Sequence, residues 1–410
     1  MMRISERERQ YVNEVLDGQF RGATSNVMMQ RLEKLFAEKF GVRYAISHIN
    51  GTATLHAALV AAGVGPGDEV IVPPLTMAST SFAVLHAGAV PVFADIDPHT
   101  WTLDPECVER LITPRTKAIE PVAIYGLSPD IDRLMEIAAR HNLKVIEDDA
   151  ECFLGYNRGR VVGSVAHLAS FSFQSSKHMT SGEGGMVTTN DEELATAVRR
   201  FNSLGYAAVG ASKGKITRDT IQDPNYCRHA SMGFNYRMPE LCCAVALGQL
   251  ERLEELVSER QHCARVFGQV IAHCTWLRPQ HVPDGYVHSY WTYPVLLAPE
   301  VDFSWYDFRA KFREFGGDGI YAAWRLTYLE PAFEGREFDA AHTAPHEKQI
   351  CGRGLCPVAE SVQPRIFQFK TNYTDRARLE RQAEVLAQTI AYFEGRQVHA
   401  ICSSLALEAR

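Results

Sequence analysis

Three short stretches hold residues whose types and spacing suit chemistry on a small cofactor. In Ser170–Gly185 (SFSFQSSKHMTSGEGG), Lys177 follows an apolar run and precedes a turn rich in Gly182, Gly184 and Gly185. A loop lysine is ordinarily solvated. At a strand end, beside glycines that let backbone approach a ligand, its amine is partly desolvated and suited to a Schiff base with a carbonyl. Val145–Ala150 (VIEDDA) ends an apolar run in acids. Such acids form an ordinary strand-end turn or, if buried, need a positive partner, which a protonated pyridine nitrogen supplies. Asn50–Ala53 (NGTA) precedes the apolar run Leu55–Ala62. Thr or Asn there is often a simple cap, yet main-chain N–H groups and the Thr52 hydroxyl at a helix start also suit a phosphate. An amine for an aldehyde, a carboxylate for a pyridine nitrogen and a helix start for a phosphate are together what pyridoxal 5′-phosphate (PLP) requires.

The elements that must position these residues alternate. Asp68–Val72, Val90–Ile96, Lys117–Ile124, Lys144–Glu147, Ala169–Phe173 and Gly185–Thr189 read as strands, and Asp130–His141 has helical apolar spacing. That rhythm predicts crossover units and a mainly parallel, buried sheet of an α/β fold. Ligands of such sheets bind at the carboxyl ends of the strands, where the candidate residues fall. Pro239–His273 predicts one long helix with Leu247, Leu250, Leu253 and Leu256 along one side. Beyond it, strands at Tyr290–Leu297 and Ile366–Lys370 and helices at Tyr306–Phe315 and Arg376–Phe393 predict a smaller α+β unit. The expected division is a large domain over 1–274 and a small one over 275–410.

Composition narrows the function. The chain has 410 residues, 46% hydrophobic and 22% charged, with a formal net charge of −7. These are globular proportions without the basic excess of a nucleic-acid binder. Met1–Phe20 carries Arg3, Glu6, Arg7, Glu8 and Arg9 rather than the apolar core of a secretory signal. Apolar stretches such as Ser81–Ile96 are broken by His86, Gly88, Pro91 and Asp95, too short for a membrane span. The ten cysteines lack CxxC spacing, and metal-ligand spacing of His and Cys is not evident. A cytoplasmic enzyme with free thiols, no metal and no membrane or nucleic-acid partner is expected.

The motifs NGTATLHAAL, GPGDEVIVPPLT, GAVPVFADIDP, TPRTKAI, VIEDDAE, SFSFQSSKHMTSGEGGMVTTND, GFNYRMPEL and CPVAE follow in order over nearly the whole chain. With them the sequence resembles the DegT/DnrJ/StrS sugar aminotransferases among the fold-type I PLP enzymes. The resemblance implies a seven-stranded large domain, a homodimer with active sites at its interface, and amino transfer from Glu or Gln to a keto sugar or keto-polyol. It implies Lys177 as the lysine that binds the cofactor aldehyde and shuttles protons, and Asp148 as partner of the pyridine nitrogen. It places Thr52, Ala53 and Ser172 on the phosphate, Gly51 in the turn beneath it, and Asn235 of GFNYR on the phosphate of the neighbouring subunit's cofactor. Two positions depart from the pattern. Met77 stands where many members have an aromatic ring over the cofactor, and Glu151 where many have Gln beside its ring hydroxyl.

The acceptor is less legible. Lys213, Lys215, Arg218, Arg228 and His229 cluster within Tyr206–Ser231, against the net negative charge of the chain. They form either a solvated loop or a grip for an anionic acceptor, with Arg325 of AAWRLTY a further candidate. Alternatives to transfer onto a nucleotide-linked keto sugar are a keto-inositol or small phosphorylated ketone. Others are a sugar dehydratase, in which the family replaces the lysine by His, and a PLP-binding regulator without turnover.

Overall fold

The computed structural model describes residues 3–20, 27–212, 217–334 and 351–395. Seven strands form the principal sheet: β1 (Tyr44–His48), β2 (Glu69–Val72), β3 (Val90–Phe93), β4 (Thr116–Ile119), β5 (Lys144–Asp148), β6 (Leu168–Ser172) and β7 (Gly185–Thr189). Their order is β1-β7-β6-β5-β4-β2-β3. The pairs β2/β3, β2/β4, β4/β5 and β5/β6 are parallel, whereas β7 lies antiparallel to both β6 and β1. A sheet with helices on both faces buries both sides of each strand, so its strands are apolar without alternation. Val70, Ile71 and Val72 are all fully buried.

Each face is closed by a helix whose sequence fits the place. The helix Ile131–His141 is capped by the Asp130 side chain and stopped by Asn142 in the left-handed region (φ 53°). Its apolar stripe, Ile131, Leu134, Ile137 and Ala138, packs on Ile71, Ile119 and Val145. Burying a side chain such as Leu134 contributes roughly 1.5–3 kcal/mol. On the opposite face the helix Gly51–Ala61 packs Leu55, Ala58 and Leu59 against Val70, Val72, Ala118 and Ile146. Being enclosed almost all round, it is apolar almost all round.

A second sheet, antiparallel throughout, comprises β8 (Leu277–Pro279), β9 (Thr292–Leu297), β10 (Ile320–Ala322) and β11 (Ile366–Lys370) in the order β8-β9-β11-β10. Phe267, Phe308, Phe312, Phe367, Phe369 and Leu386 knit it to the helices Leu253–Ile271, Trp305–Glu314 and Arg376–Phe393. No helix among the described residues is long and apolar enough to cross a membrane.

The expected single helix over Pro239–His273 is two, Glu240–Leu250 and Leu253–Ile271, with Arg252 between them in non-helical geometry (φ −111°, ψ 15°). The leucine spacing runs through the bend, and Leu247, Leu250, Leu253 and Leu256 are all buried, so periodicity alone does not reveal it. Tertiary contacts do: Gln249 Nε2 and Arg252 Nη2 both donate to the Arg3 carbonyl, at 2.7 and 3.0 Å, and Arg252 pairs with the buried Glu8. Strands β1, β8 and β10 have no counterpart among the expected strands. Among the described residues of Tyr206–Ser231 there is one short helix, Arg218–Gln222. Lys213 and Lys215 lie outside the described residues, as does the side chain of Arg218.

Candidate active site

The carboxyl ends of β1, β2, β5 and β6 converge on one cavity of about 500 Å³, lined among others by Gly51, Thr52, Met77, Asp148, Glu151, Ser172 and Lys177. Asp148 is the last residue of β5 and Ser172 of β6, while Gly51 opens the helix that follows β1. Adjacent strand ends thus bring residues distant in sequence to a single rim.

Asp148 is buried, and its two oxygens accept from Thr80 Oγ1 at 2.9 Å and the Ala150 amide at 3.2 Å. Burial pushes its carboxyl above the usual range, while Thr80, the Ala150 amide and Lys177 pull the other way. A cationic ring nitrogen would add an opposite charge that the neutral Thr80 and Ala150 donors do not. Lys177 Nζ, on a side chain only 12% exposed, donates to Glu151 Oε1 at 3.1 Å. It also lies 4.5 Å from the centre of the Trp291 ring, within cation–π range. The other oxygen of Glu151 accepts from the Tyr125 amide at 2.9 Å. Tyr125 occupies the left-handed region (φ 61°), strain that turns its N–H onto the carboxylate. Burial raises the Glu151 carboxyl, and Lys177 and the Tyr125 amide oppose that rise.

The helix start at Gly51 meets the end of β6 closely. A Cβ built on Gly51 would lie 2.9 Å from Ser172 Cβ and 3.1 Å from Ser172 Oγ. Only glycine admits the serine hydroxyl this near the first amides of the helix, which have no intrahelical acceptor. The corner is therefore a cradle of N–H and O–H donors suited to a phosphate. An amine, a buried carboxylate and this anion corner on one cavity fit PLP.

Not every sequence-derived residue lies here. The Ala53 amide donates to Asn50 Oδ1 at 2.8 Å as a helix cap, and Ala53 does not line the cavity. Met77 does, at 53% exposure. Asn235, Arg228, His229 and Arg325 are exposed and are not among the cavity residues of their own chain. Asn235 bridges to Ser203, and His229 Nδ1 faces the Leu204 carbonyl at 2.7 Å while its ring lies beside Tyr206.

Other residues escape sequence reasoning. Trp291 and Trp324 line the cavity, their ring centres 5.8 Å apart. Glu120, just beyond β4, is fully buried with both carboxylate oxygens unpartnered among the described residues. Burial and the neighbouring Asp148 charge hold it well above the usual carboxylate range. The signal for Glu120 was a lone acid inside an apolar run, AIEPV.

A model of the DegT/DnrJ/EryC1/StrS aminotransferase family matches residues 2–364. The chain is 42% identical over 299 residues to a GDP-perosamine synthase of Caulobacter vibrioides, covering 72% of this chain and 76% of the relative. It is 38% identical over 283 residues to the L-glutamine:2-deoxy-scyllo-inosose aminotransferase of Streptomyces lividus, covering 69% and 65%. The X-ray structure of an aminotransferase from Psychrobacter cryohalolentis matches with a TM-score of 0.83 at 28% identity, over 95% of this chain and 98% of that one.

Proposed function

We propose, for a chain that belongs to the DegT/DnrJ/EryC1/StrS aminotransferase family, amino transfer from glutamate or glutamine to the keto carbon of a nucleotide-linked sugar or a related keto-polyol. The enzyme is a PLP-dependent aminotransferase with a mainly parallel α/β sheet. The names GDP-perosamine synthase and L-glutamine:2-deoxy-scyllo-inosose aminotransferase support a sugar or polyol acceptor, and the second supports glutamine as donor. The observation that carries the reading is one cavity holding Lys177, Asp148 and the Gly51–Ser172 corner.

When bound, PLP supplies an aldehyde for the amine and a ring that draws electrons from the carbon losing its proton. The residues of the chain do the rest. Thr52, Ser172 and the helix start hold the phosphate, with Gly51 shaping the corner. Asp148, fixed by Thr80 and the Ala150 amide, keeps a proton on the ring nitrogen. Lys177 Nζ would bind the aldehyde carbon and, as a free amine, would take the proton from the donor's α-carbon and deliver it to the former aldehyde carbon. For the second half it runs the same transfer in reverse at the acceptor carbon. Glu151, held by the Tyr125 amide, receives Lys177 between these roles. Trp291 shields one side of the amine from water.

The large unit of 1–274 supplies these groups apart from Trp291 in this reading, and the unit of 275–410 supplies Trp291 and closes over them. A second copy of the chain supplies Asn235, which is exposed beside Met232 and Phe234, at 90% and 48% exposure. Arg228, His229 and Arg325 serve the acceptor's anionic part. The test is a half-reaction screen: protein loaded with pyridoxamine phosphate is mixed with candidate ketones, and the yellow absorbance is followed. Its return with a nucleotide-linked keto sugar or keto-polyol is expected. A return only with simple α-keto acids would overturn the acceptor class.

A further inference from the structure

The side chain of Lys177 is held at its tip by Glu151 and Trp291, but its backbone is held from elsewhere. Arg260, in the helix Leu253–Ile271, is 4% exposed. Its Nη2 donates to the carbonyls of Ser176 and Lys177 at 2.9 and 3.0 Å. Its Nη1 donates to the Trp291 carbonyl at 2.6 Å and to Thr371 Oγ1 at 3.2 Å. All four acceptors are neutral, so the charge-assisted bonds go wholly into fixing backbone and a hydroxyl. Arg3 completes the set from the N-terminal segment, donating to the carbonyls of Ser175 and Lys177 at 2.7 and 2.9 Å. The Trp291 indole N–H donates to the Ser176 carbonyl at 2.9 Å. Three successive carbonyls of the lysine turn thus face two guanidinium groups and an indole.

We propose that Arg260 is the positioning residue of the reactive lysine. Assisted by Arg3, it pins the turn 175–177, and through the Trp291 carbonyl it joins that turn to β9, so that Nζ and the indole face keep their mutual place. The inference rests on Lys177 as the cofactor lysine. Planarity matters: one guanidinium spans acceptors from three segments, which the single point of an ammonium cannot do. Burial lowers the Arg260 pKa to about 9, which still leaves it charged at neutral pH.

Two cofactor forms separate positioning from general support. PLP bonds to Lys177, whereas pyridoxamine phosphate uses the phosphate corner and Asp148 without that bond. Titration of Arg260→Gln with each form should show PLP affinity at least tenfold weaker and pyridoxamine phosphate affinity within threefold of wild type. Arg260→Lys should recover only part of the PLP loss. Arg3→Ala, at a partly exposed position, should weaken PLP about threefold and leave pyridoxamine phosphate unchanged, and it serves if Arg260→Gln fails to fold. Equal losses for both forms, or no loss for PLP in the folded variants, would overturn the proposal. Borohydride labelling of wild-type protein is the control. If its label falls outside Lys177, the underlying reading fails rather than the role of Arg260.

Discussion

At the scale of single residues, two side chains divide the work and fail differently when changed. Lys177→Ala removes both the covalent attachment and the proton carrier. Turnover should fall by ~10²–10⁴-fold from lost proton transfer alone, while pyridoxamine phosphate still binds; steady-state assays and a binding titration check both. Asp148→Asn keeps the shape and the Thr80 contact but removes the charge opposite the ring nitrogen. Its rate should fall tenfold or more, equal to at least ~1.4 kcal/mol on the barrier, with PLP still bound by its absorbance. Near wild-type rates would mean that another group protonates the ring. The two stretches stood out in the sequence, but the choice of Asp148 among Glu147, Asp148 and Asp149 rested on the family resemblance. Trp291 and Glu120 did not stand out. An indole before a strand and an acid inside an apolar run gain meaning only when β5, β6 and the start of β9 meet.

The elements carry their own consequences. Gly51 couples the helix after β1 to the end of β6, and a methyl group there meets Ser172 at 2.9 Å. Overpacking of this kind costs typically 1–3 kcal/mol. Gly51→Ala should therefore weaken PLP binding by about tenfold as the serine is pushed from the corner, read by cofactor titration. His288, before β9, accepts from the Tyr290 amide at 2.9 Å through Nδ1 and faces Gln280 Oε1 through Nε2. Full burial drops its pKa from 6.5 to about 3. The unfolded chain takes up a proton there near 6.5 and the native fold does not until about 3. Stability is therefore lost as the pH falls through that window, by up to ~1.4 kcal/mol per pH unit. His288→Gln should flatten that part of the acid-unfolding curve; an unchanged slope would place the acid sensitivity elsewhere. Periodicity and composition made β2 to β7, β9 and β11 legible, although β4 ends at Ile119 rather than at the expected Ile124. They missed β1, β8 and β10 and the break at Arg252, because each of these strands lies at a sheet edge and is specified by its partner, and the bend by contacts with Arg3 and Glu8.

For the whole molecule, strand ends separated along the chain, the helix start at Gly51 and the approach to a second sheet converge on one cavity around one amine. The seven-strand order was legible only as far as a mainly parallel sheet, since nothing local to β7 marks it as the reversed strand between β1 and β6. If a second copy completes the site through Asn235, Lys177→Ala and Asn235→Ala chains should complement when mixed. Random pairing leaves half the dimers mixed, each with one intact site of two, so about a quarter of wild-type activity should return. No recovery, with mixed dimers demonstrated, would mean that each chain builds its site alone. The convergence on Lys177 itself is tested most directly by borohydride reduction of the PLP-loaded protein followed by peptide mapping. A label confined to the peptide containing Lys177 is predicted, whereas a label on any other lysine, or a protein that takes up no PLP, would contradict it.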